Sequence, residues 1–220
     1  MHYSALFLDF YGTLVAEDDP VIEAICAQAG ANRQAFGLRW STLFAQLCAE
    51  SHGATFQTQR AIELQSLELA MQEAGVDGDP LAMSQALYDY WQAPEPFPES
   101  TSFLEHCPIP ICIVSNIDMQ DIQLAAQSCG WRFERLITSE QVRSYKPRPE
   151  IFHAALETMD IRPEQALHVG DSLSSDIRGA SAVGIDTVWL NRKGRPFRDK
   201  QLEPTYEIQN LEQLIPILIR

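Results

Sequence analysis

Asp9 closes an otherwise apolar run, LFLDFYGTLV at residues 6–15, and a turn containing Tyr11, Gly12 and Thr13 follows at once. A carboxylate at the mouth of a buried strand is able to attack an electrophile as a nucleophile. The N–H groups of such a turn, with the Thr13 hydroxyl, suit phosphate oxygens. Three further polar signals follow apolar runs: Ser115-Asn116 after ICIV, Lys146 in SYKPRPEIF, and Asp171 with Asp176 in GDSLSSD after ALHV. Ser115 and Asn116 offer a hydroxyl and an amide for holding an anion. Lys146 is one of only three lysines, and its ammonium would neutralise the nucleophile and the transferring group. Asp9 and Asp171 make a hard oxygen site that suits Mg²⁺, and Asp176 would orient a metal-bound water or hold Lys146. Bland uses compete with each: a loop-capping Asp9, an Asx or Ser turn at residues 115–116, and helix capping by Ser172, Ser174, Ser175 and Asp176.

These residues meet only if their strands lie side by side, because ligands of open α/β sheets bind outside the carboxyl ends of the strands. Residues 4–9 read as a buried parallel strand. Residues 20–91 then show helical periodicity, with helices expected near Pro20–Ala29, Arg33–Ala49, Thr58–Ala74 and Leu81–Trp91. Pro20 suits a first helical turn, and Gly30 and Gly75 suit helix ends. The Pro-rich stretch APEPFPES at 93–100 closes this block. Strand-like runs at Ile109–Val114, Leu136–Thr138, Ala166–Val169 and Thr187–Leu190 then alternate with helical stretches at Met119–Ser128, Pro149–Thr158 and Asp176–Val183. A last strand and helix are expected at Tyr206–Ile208 and Leu211–Ile219. The alternation predicts an α/β fold, a parallel sheet with helices on both faces, interrupted after its first strand by a helical insertion.

The chain has 220 residues, 45% of them hydrophobic and 21% charged, enough for a substantial core. Its formal net charge of −14 argues against nucleic-acid binding, which needs an excess of Lys and Arg. An anionic small-molecule substrate would need a local positive site. No apolar run reaches membrane-spanning length, and the N-terminus lacks the basic region of a signal peptide. Five cysteines without CxxC spacing fit a reducing cytoplasm. The five histidines form no ligand spacing, and His168 reads as a core residue. Within the insertion, Trp40, Phe44, Phe56 and Trp91 fit its own core at least as well as a substrate wall. Arg33, Arg39 and Arg60 are its only cations, and Arg39 is the candidate anion contact.

In this order and spacing, Asp9 with its Gly12-Thr13 turn, Ser115, Lys146 and GDSLSSD resemble the four motifs of the haloacid dehalogenase superfamily. The resemblance covers nearly the whole chain, and the insertion lies where that family carries its helical cap. It implies a Rossmann-like three-layer core over 1–14 and 95–220 and a helical-bundle cap over 15–94. The implied catalytic set is Asp9, Tyr11, Thr13, Ser115 and Lys146; substrate contacts fall to Ser115, Asn116 and Arg39, and metal contacts to Asp9, Tyr11, Asp171 and Asp176. Phosphatases of the superfamily usually carry Asp where Tyr11 stands. The dehalogenases carry a DxYGT loop, but with Ser and Asn in place of the GDxxxxD acids and a Tyr where this chain has Phe152. Phosphonate cleavage by the family's Schiff-base route needs a cap lysine, and residues 15–93 contain none. The favoured reading is a Mg²⁺-dependent phosphatase forming an aspartyl-phosphate. A metal-free 2-haloacid dehalogenase, or a phosphate-binding or regulatory protein without turnover, stands as the alternative. Monomer and homodimer are both open.

Overall fold

The computed structural model describes residues 3–29, 33–196 and 202–219. All four residues of β1 (Ala5–Leu8) are buried, as a strand covered on both faces requires. Four helices follow: α1 (Asp19–Gln28), α2 (Arg33–Glu50), α3 (Gln59–Ala74) and α4 (Pro80–Gln92). The chain then runs through α5 (Ser100–His106), β2 (Ile111–Ser115), α6 (Met119–Ser128), β3 (Leu136–Thr138), α7 (Ser139–Val142) and α8 (Pro149–Met159). It ends with β4 (Ala166–Gly170), α9 (Arg178–Ala182), β5 (Asp186–Leu190), β6 (Tyr206–Ile208) and α10 (Ile215–Leu218).

The strands form one sheet in the order β3-β2-β1-β4-β5-β6, and every pairing is parallel. Growth of the sheet reverses at β1, with β2 and β3 on one side and β4 on the other. A crevice therefore opens where the carboxyl ends of β1 and β4 diverge. Alternate residues of each strand face opposite layers. Ala5 and Phe7 join Cys112, Val114, Ile151 and Phe152 beneath α8. Leu6 and Leu8 join Ile113, Val169 and Val188, and the same apolar cluster continues through Phe10, Leu14 and Val15 into Ile25, Trp40, Leu67 and Trp91 of the inserted helices.

The two segments joining insertion to sheet pair with each other: the Ala16 N–H reaches the Glu95 carbonyl at 2.8 Å, and the Phe97 N–H reaches that of Leu14 at 3.1 Å. Core acids then grip the insertion. The Asp118 carboxylate accepts the backbone N–H groups of Gln59 and Arg60 at 2.8 and 3.0 Å, capping the start of α3 from outside the helix. The Arg60 guanidinium meets buried Asp121 of α6 through two bonds of 2.7 and 2.5 Å.

Pro20 lies in the first turn of α1, and Gly75 ends α3 in the left-handed conformation, φ 64°. Gly30 falls outside the described residues. The strand expected over Ile109–Val114 starts at Ile111, because Pro108 and Pro110 have no N–H to give a ladder. The helix expected from Asp176 begins instead as a wide π turn over Leu173–Ile177 that runs into α9. The helix expected over Leu211–Ile219 is a 3₁₀ turn followed by the short α10, with Pro216 in its first turn. Helices α5 and α7 were not legible in the periodicity, being too short to repeat it. Among the described residues, no helix is long and apolar enough to cross a membrane.

Candidate active site

Asp9 follows β1 directly and is anchored by its own N–H to the Val169 carbonyl of β4 at 3.0 Å. Lys146, on the loop between α7 and α8, reaches back into the crevice with every ammonium proton engaged. It donates to Asp9 Oδ1 at 2.7 Å, to Asp176 Oδ1 at 2.6 Å and to the Val114 carbonyl at 3.0 Å. Asp176 also accepts from His168 Nε2 at 3.1 Å and, through Oδ2, from the Ser172 N–H at 3.1 Å. The wide turn after β4 makes this possible by swinging Asp176 back against its own strand. A Cβ at Gly170 would lie 2.2 Å from the Asp176 carboxyl carbon, so only glycine lets that carboxylate lie there. Gly12 has φ 80°, and a Cβ on it would meet the Asp171 carboxylate at 2.7 Å. Thr13 Oγ1 contacts Asp9 Oδ2 at a long 3.4 Å. With Oδ1 held by Lys146, Oδ2 is the oxygen left free to attack.

One ammonium stands among three carboxyls. Oxygens of Asp9, Asp171 and Asp176 lie within 4.8 Å of one another, a donor set that fits a hard divalent cation. Burial pushes Asp9 up to about 6 against the pull of Lys146. Burial also pushes Asp171 up, to about 8, reinforced by the charges of Asp176 and Asp9. Burial works upward on Asp176 too, but Lys146 and His168 hold it down at about 2. Lys146 itself is raised, since its two carboxylates outweigh its burial. Among the described residues, the cation paired with Asp171 is Arg195, half exposed and 3.8 Å from Oδ2. The cluster is thus short of positive charge, which is the electrostatic condition for metal binding.

The structure brings Asp9, Thr13, Ser115, Lys146, Asp171 and Asp176 to one edge of the sheet, with buried Ser115 at the end of β2 lining the same cavity. Three further candidates have partners of their own. Asn116 clamps the Lys146 backbone, accepting its N–H at 2.7 Å and donating to its carbonyl at 3.2 Å, so it holds the lysine more than it offers itself to substrate. Arg39, the candidate anion contact, forms a two-point pair with Glu73 at 2.5 and 2.7 Å on the exposed face of the insertion, outside the cavity lining. The Tyr11 ring lines the cavity, and its hydroxyl donates to the Trp91 carbonyl. Burial, then Asp121 and Asp18, push that phenol well above its ordinary range.

Reading the sequence as core for His168 missed its bond to Asp176. Burial keeps its imidazole neutral, so Nε2 must carry the proton it gives to Asp176. Phe152 stacks edge-on against this ring at 5.2 Å. Also missed was Arg192, which binds Glu99 at 2.5 Å and the Thr13 carbonyl at 2.8 Å, bracing the turn after Asp9.

The sequence of residues 3–184 matches the family model of the haloacid dehalogenase-like hydrolases. The chain belongs to that family. It is 31% identical over 124 residues to an (S)-2-haloacid dehalogenase of Pseudomonas putida, covering 54% of this chain and 55% of that one. It is 40% identical over 92 residues to a glyceraldehyde 3-phosphate phosphatase of Pyrococcus furiosus, covering 40% of this chain and 38% of that one. The match thus spans about half the length of such relatives or less. A solved L-2-haloacid dehalogenase superposes over 100% of both chains with a TM-score of 0.85 at 21% identity, a likeness of fold. Relatives of this hydrolase therefore include both dehalogenases and phosphatases.

The cavity above the carboxylates holds about 310 Å³, the size of a small-molecule site. Its floor is Asp9, Lys146, Ser115 and Asp171, and its roof comes from the insertion, with Asp18, Trp40, Phe44, Glu63 and Trp91.

Proposed function

We propose that the chain is a Mg²⁺-dependent phosphatase acting on a small phosphorylated metabolite through an aspartyl-phosphate on Asp9. The observation that carries this reading is the imbalance of three clustered carboxyls around one ammonium. Asp9, Asp171 and Asp176 would hold the ion, which when bound would supply Lewis-acid stabilisation of phosphoryl oxygens. The Asp9 carboxylate attacks phosphorus, the bond from phosphorus to the ester oxygen breaks, and the leaving oxygen departs with a proton from solvent or a neighbouring acid. Water then cleaves the acyl-phosphate and restores Asp9. Lys146 keeps Asp9 ionised and fixes its orientation. The Thr13 and Ser115 hydroxyls receive the phosphoryl oxygens. Because the Tyr11 proton is engaged by the Trp91 carbonyl, leaving groups that need no proton, such as aryl and acyl phosphates, are the better substrates.

Tyr11 itself favours the other reading, a 2-haloacid dehalogenase, since halide leaves without a proton. Against it, a haloacid carboxylate needs a free cation. The only cationic residue lining the cavity among the described residues is Lys146, already held by two carboxylates. Five cysteines without CxxC spacing fit work in a reducing cytoplasm. The test is phosphate release from p-nitrophenyl phosphate with Mg²⁺ and with EDTA, beside chloride release from 2-chloropropionate. Mg²⁺-dependent phosphate release is expected. Chloride release that persists in EDTA would make the chain a dehalogenase, and phosphate binding without turnover of any ester would make it a binding protein.

A further inference from the structure

The roof of the cavity carries a carboxyl with nothing to hold. Glu63 on α3 is 6% exposed, lines the cavity, and its Oε1 is fully enclosed without a hydrogen-bond partner. Buried polar groups are almost always satisfied, so a buried acid left unpartnered beside a ligand cavity marks a missing donor. Its neighbours narrow the choice. Asp18 lies close enough to act electrostatically on Glu63 and lines the same wall. Trp91 Nε1 donates to Asp18 Oδ2 at 2.8 Å, which fixes that carboxylate. Trp40 is fixed by its indole N–H on Ser66 at 3.1 Å, and with Phe44 and Trp91 it adds aromatic surface to the lining. Arg60, one residue-turn away on α3, is committed to Asp121 and lies over the Tyr88 ring at 4.4 Å. Two acids among aromatic rings, with no cation beside them in the roof lining among the described residues, form the surroundings in which organic ammonium groups are bound.

Resting on the phosphatase reading for the other end of the molecule, we propose that Glu63, with Asp18, binds an ammonium group at the far end of the substrate. The substrate class is then an amine-bearing phosphate monoester, its phosphate on the floor and its ammonium under the roof. A carboxylate or second phosphate at that end meets two acids and is rejected. Burial, then the charge of Asp18, push Glu63 up to about 8, and an arriving ammonium is the partner that returns it to the ionised state.

Binding of non-hydrolysable phosphonates to the whole chain with Mg²⁺ tests this apart from turnover. By titration calorimetry, 3-aminopropylphosphonate should bind about tenfold or more tighter than butylphosphonate, the margin of one charge-assisted hydrogen bond. Glu63→Gln should bring that ratio close to one, and Glu63→Asp should recover part of it. Asp18→Asn should lower it as well, and serves if the Glu63→Gln protein does not fold. Equal binding of the two phosphonates by the native chain, or a ratio that neither Glu63→Gln nor Asp18→Asn lowers, overturns the proposal. An amine preference that depends on Glu63 in a chain hydrolysing no phosphate ester would sink the phosphatase reading alone. Hydrolysis of p-nitrophenyl phosphate with no amine preference would sink this inference alone.

Discussion

The two ends of the cavity treat buried charge in opposite ways. On the floor, Lys146 is fully committed: its three protons go to three acceptors, and Asp176 accepts further from His168 and the Ser172 N–H. On the roof, Glu63 is just as enclosed, and its Oε1 has no hydrogen-bond partner. A closed network is rigid and pre-aimed, which chemistry requires because misplacement of the nucleophile is expensive in rate. An open one remains incomplete until something arrives, which is what selection among ligands requires. The same low-dielectric environment thus serves reaction at one end and recognition at the other.

The largest effect that would break this contrast is at the nucleophile. Asp9→Asn keeps a carbonyl for Lys146 and should fold, yet kcat should fall on the order of 10⁴-fold or more, because an amide forms no acyl-phosphate. Retention of a tenth of native turnover would mean that another group attacks. Next is the closed network itself. Lys146→Ala leaves Asp9 and Asp176 facing each other without their shared cation, and should lower stability by about 3–5 kcal/mol in urea unfolding. A native midpoint in that variant would show the floor to be no network at all.

The roof should show its incompleteness as a pH dependence of stability. Glu63 holds its proton up to about 8 in the fold and releases it near 4.5 when unfolded. Between those values the native state binds more protons than the unfolded one, so stability falls as pH rises through that window. Asp9 and Asp171, also raised, add slopes of the same sign. The difference between native and Glu63→Gln melting curves, taken in EDTA from pH 4.5 to 8.5, isolates the share of Glu63. Parallel curves would mean that its carboxyl is not under this strain. The smallest effect is expected where floor and roof touch. Tyr11→Phe removes one hydrogen bond to the Trp91 carbonyl, worth about 0.5–1.5 kcal/mol, and should change kcat less than about tenfold. A loss of 10²–10⁴, the range of general acid catalysis, would put the phenol in the reaction.

What was legible in the sequence was governed by topology. Asp9, Ser115 and Asp171 each follow an apolar run, and a parallel sheet gathers the carboxyl ends of its strands at one edge, so their meeting follows from order alone. Lys146 was legible by its scarcity and motif. Asn116 was legible as a site residue but not in its role, because its partner is the Lys146 backbone, thirty positions away. His168 sits where strand alternation says core, and only the wide turn of residues 173–177 turns Asp176 back to meet it. Glu63 lies in a helix rich in Gln and Glu whose apolar face is poorly marked, so nothing separates an acid facing a cavity from its solvated neighbours. Arg39 stood out for the converse reason: scarcity of cations in the insertion made it conspicuous, while its partner Glu73 lies thirty-four residues on.

Gly170 ties the history of two positions together. Since the carboxyl carbon of Asp176 occupies the space that any side chain at 170 would need, neither residue is free to drift alone. A lineage acquiring alanine at 170 must first or at once shorten residue 176, and in doing so gives up an acceptor of Lys146. Substitution there would therefore proceed by pairs and pass through loss of the lysine's anchorage, so descendants that keep the chemistry are confined to keeping the glycine.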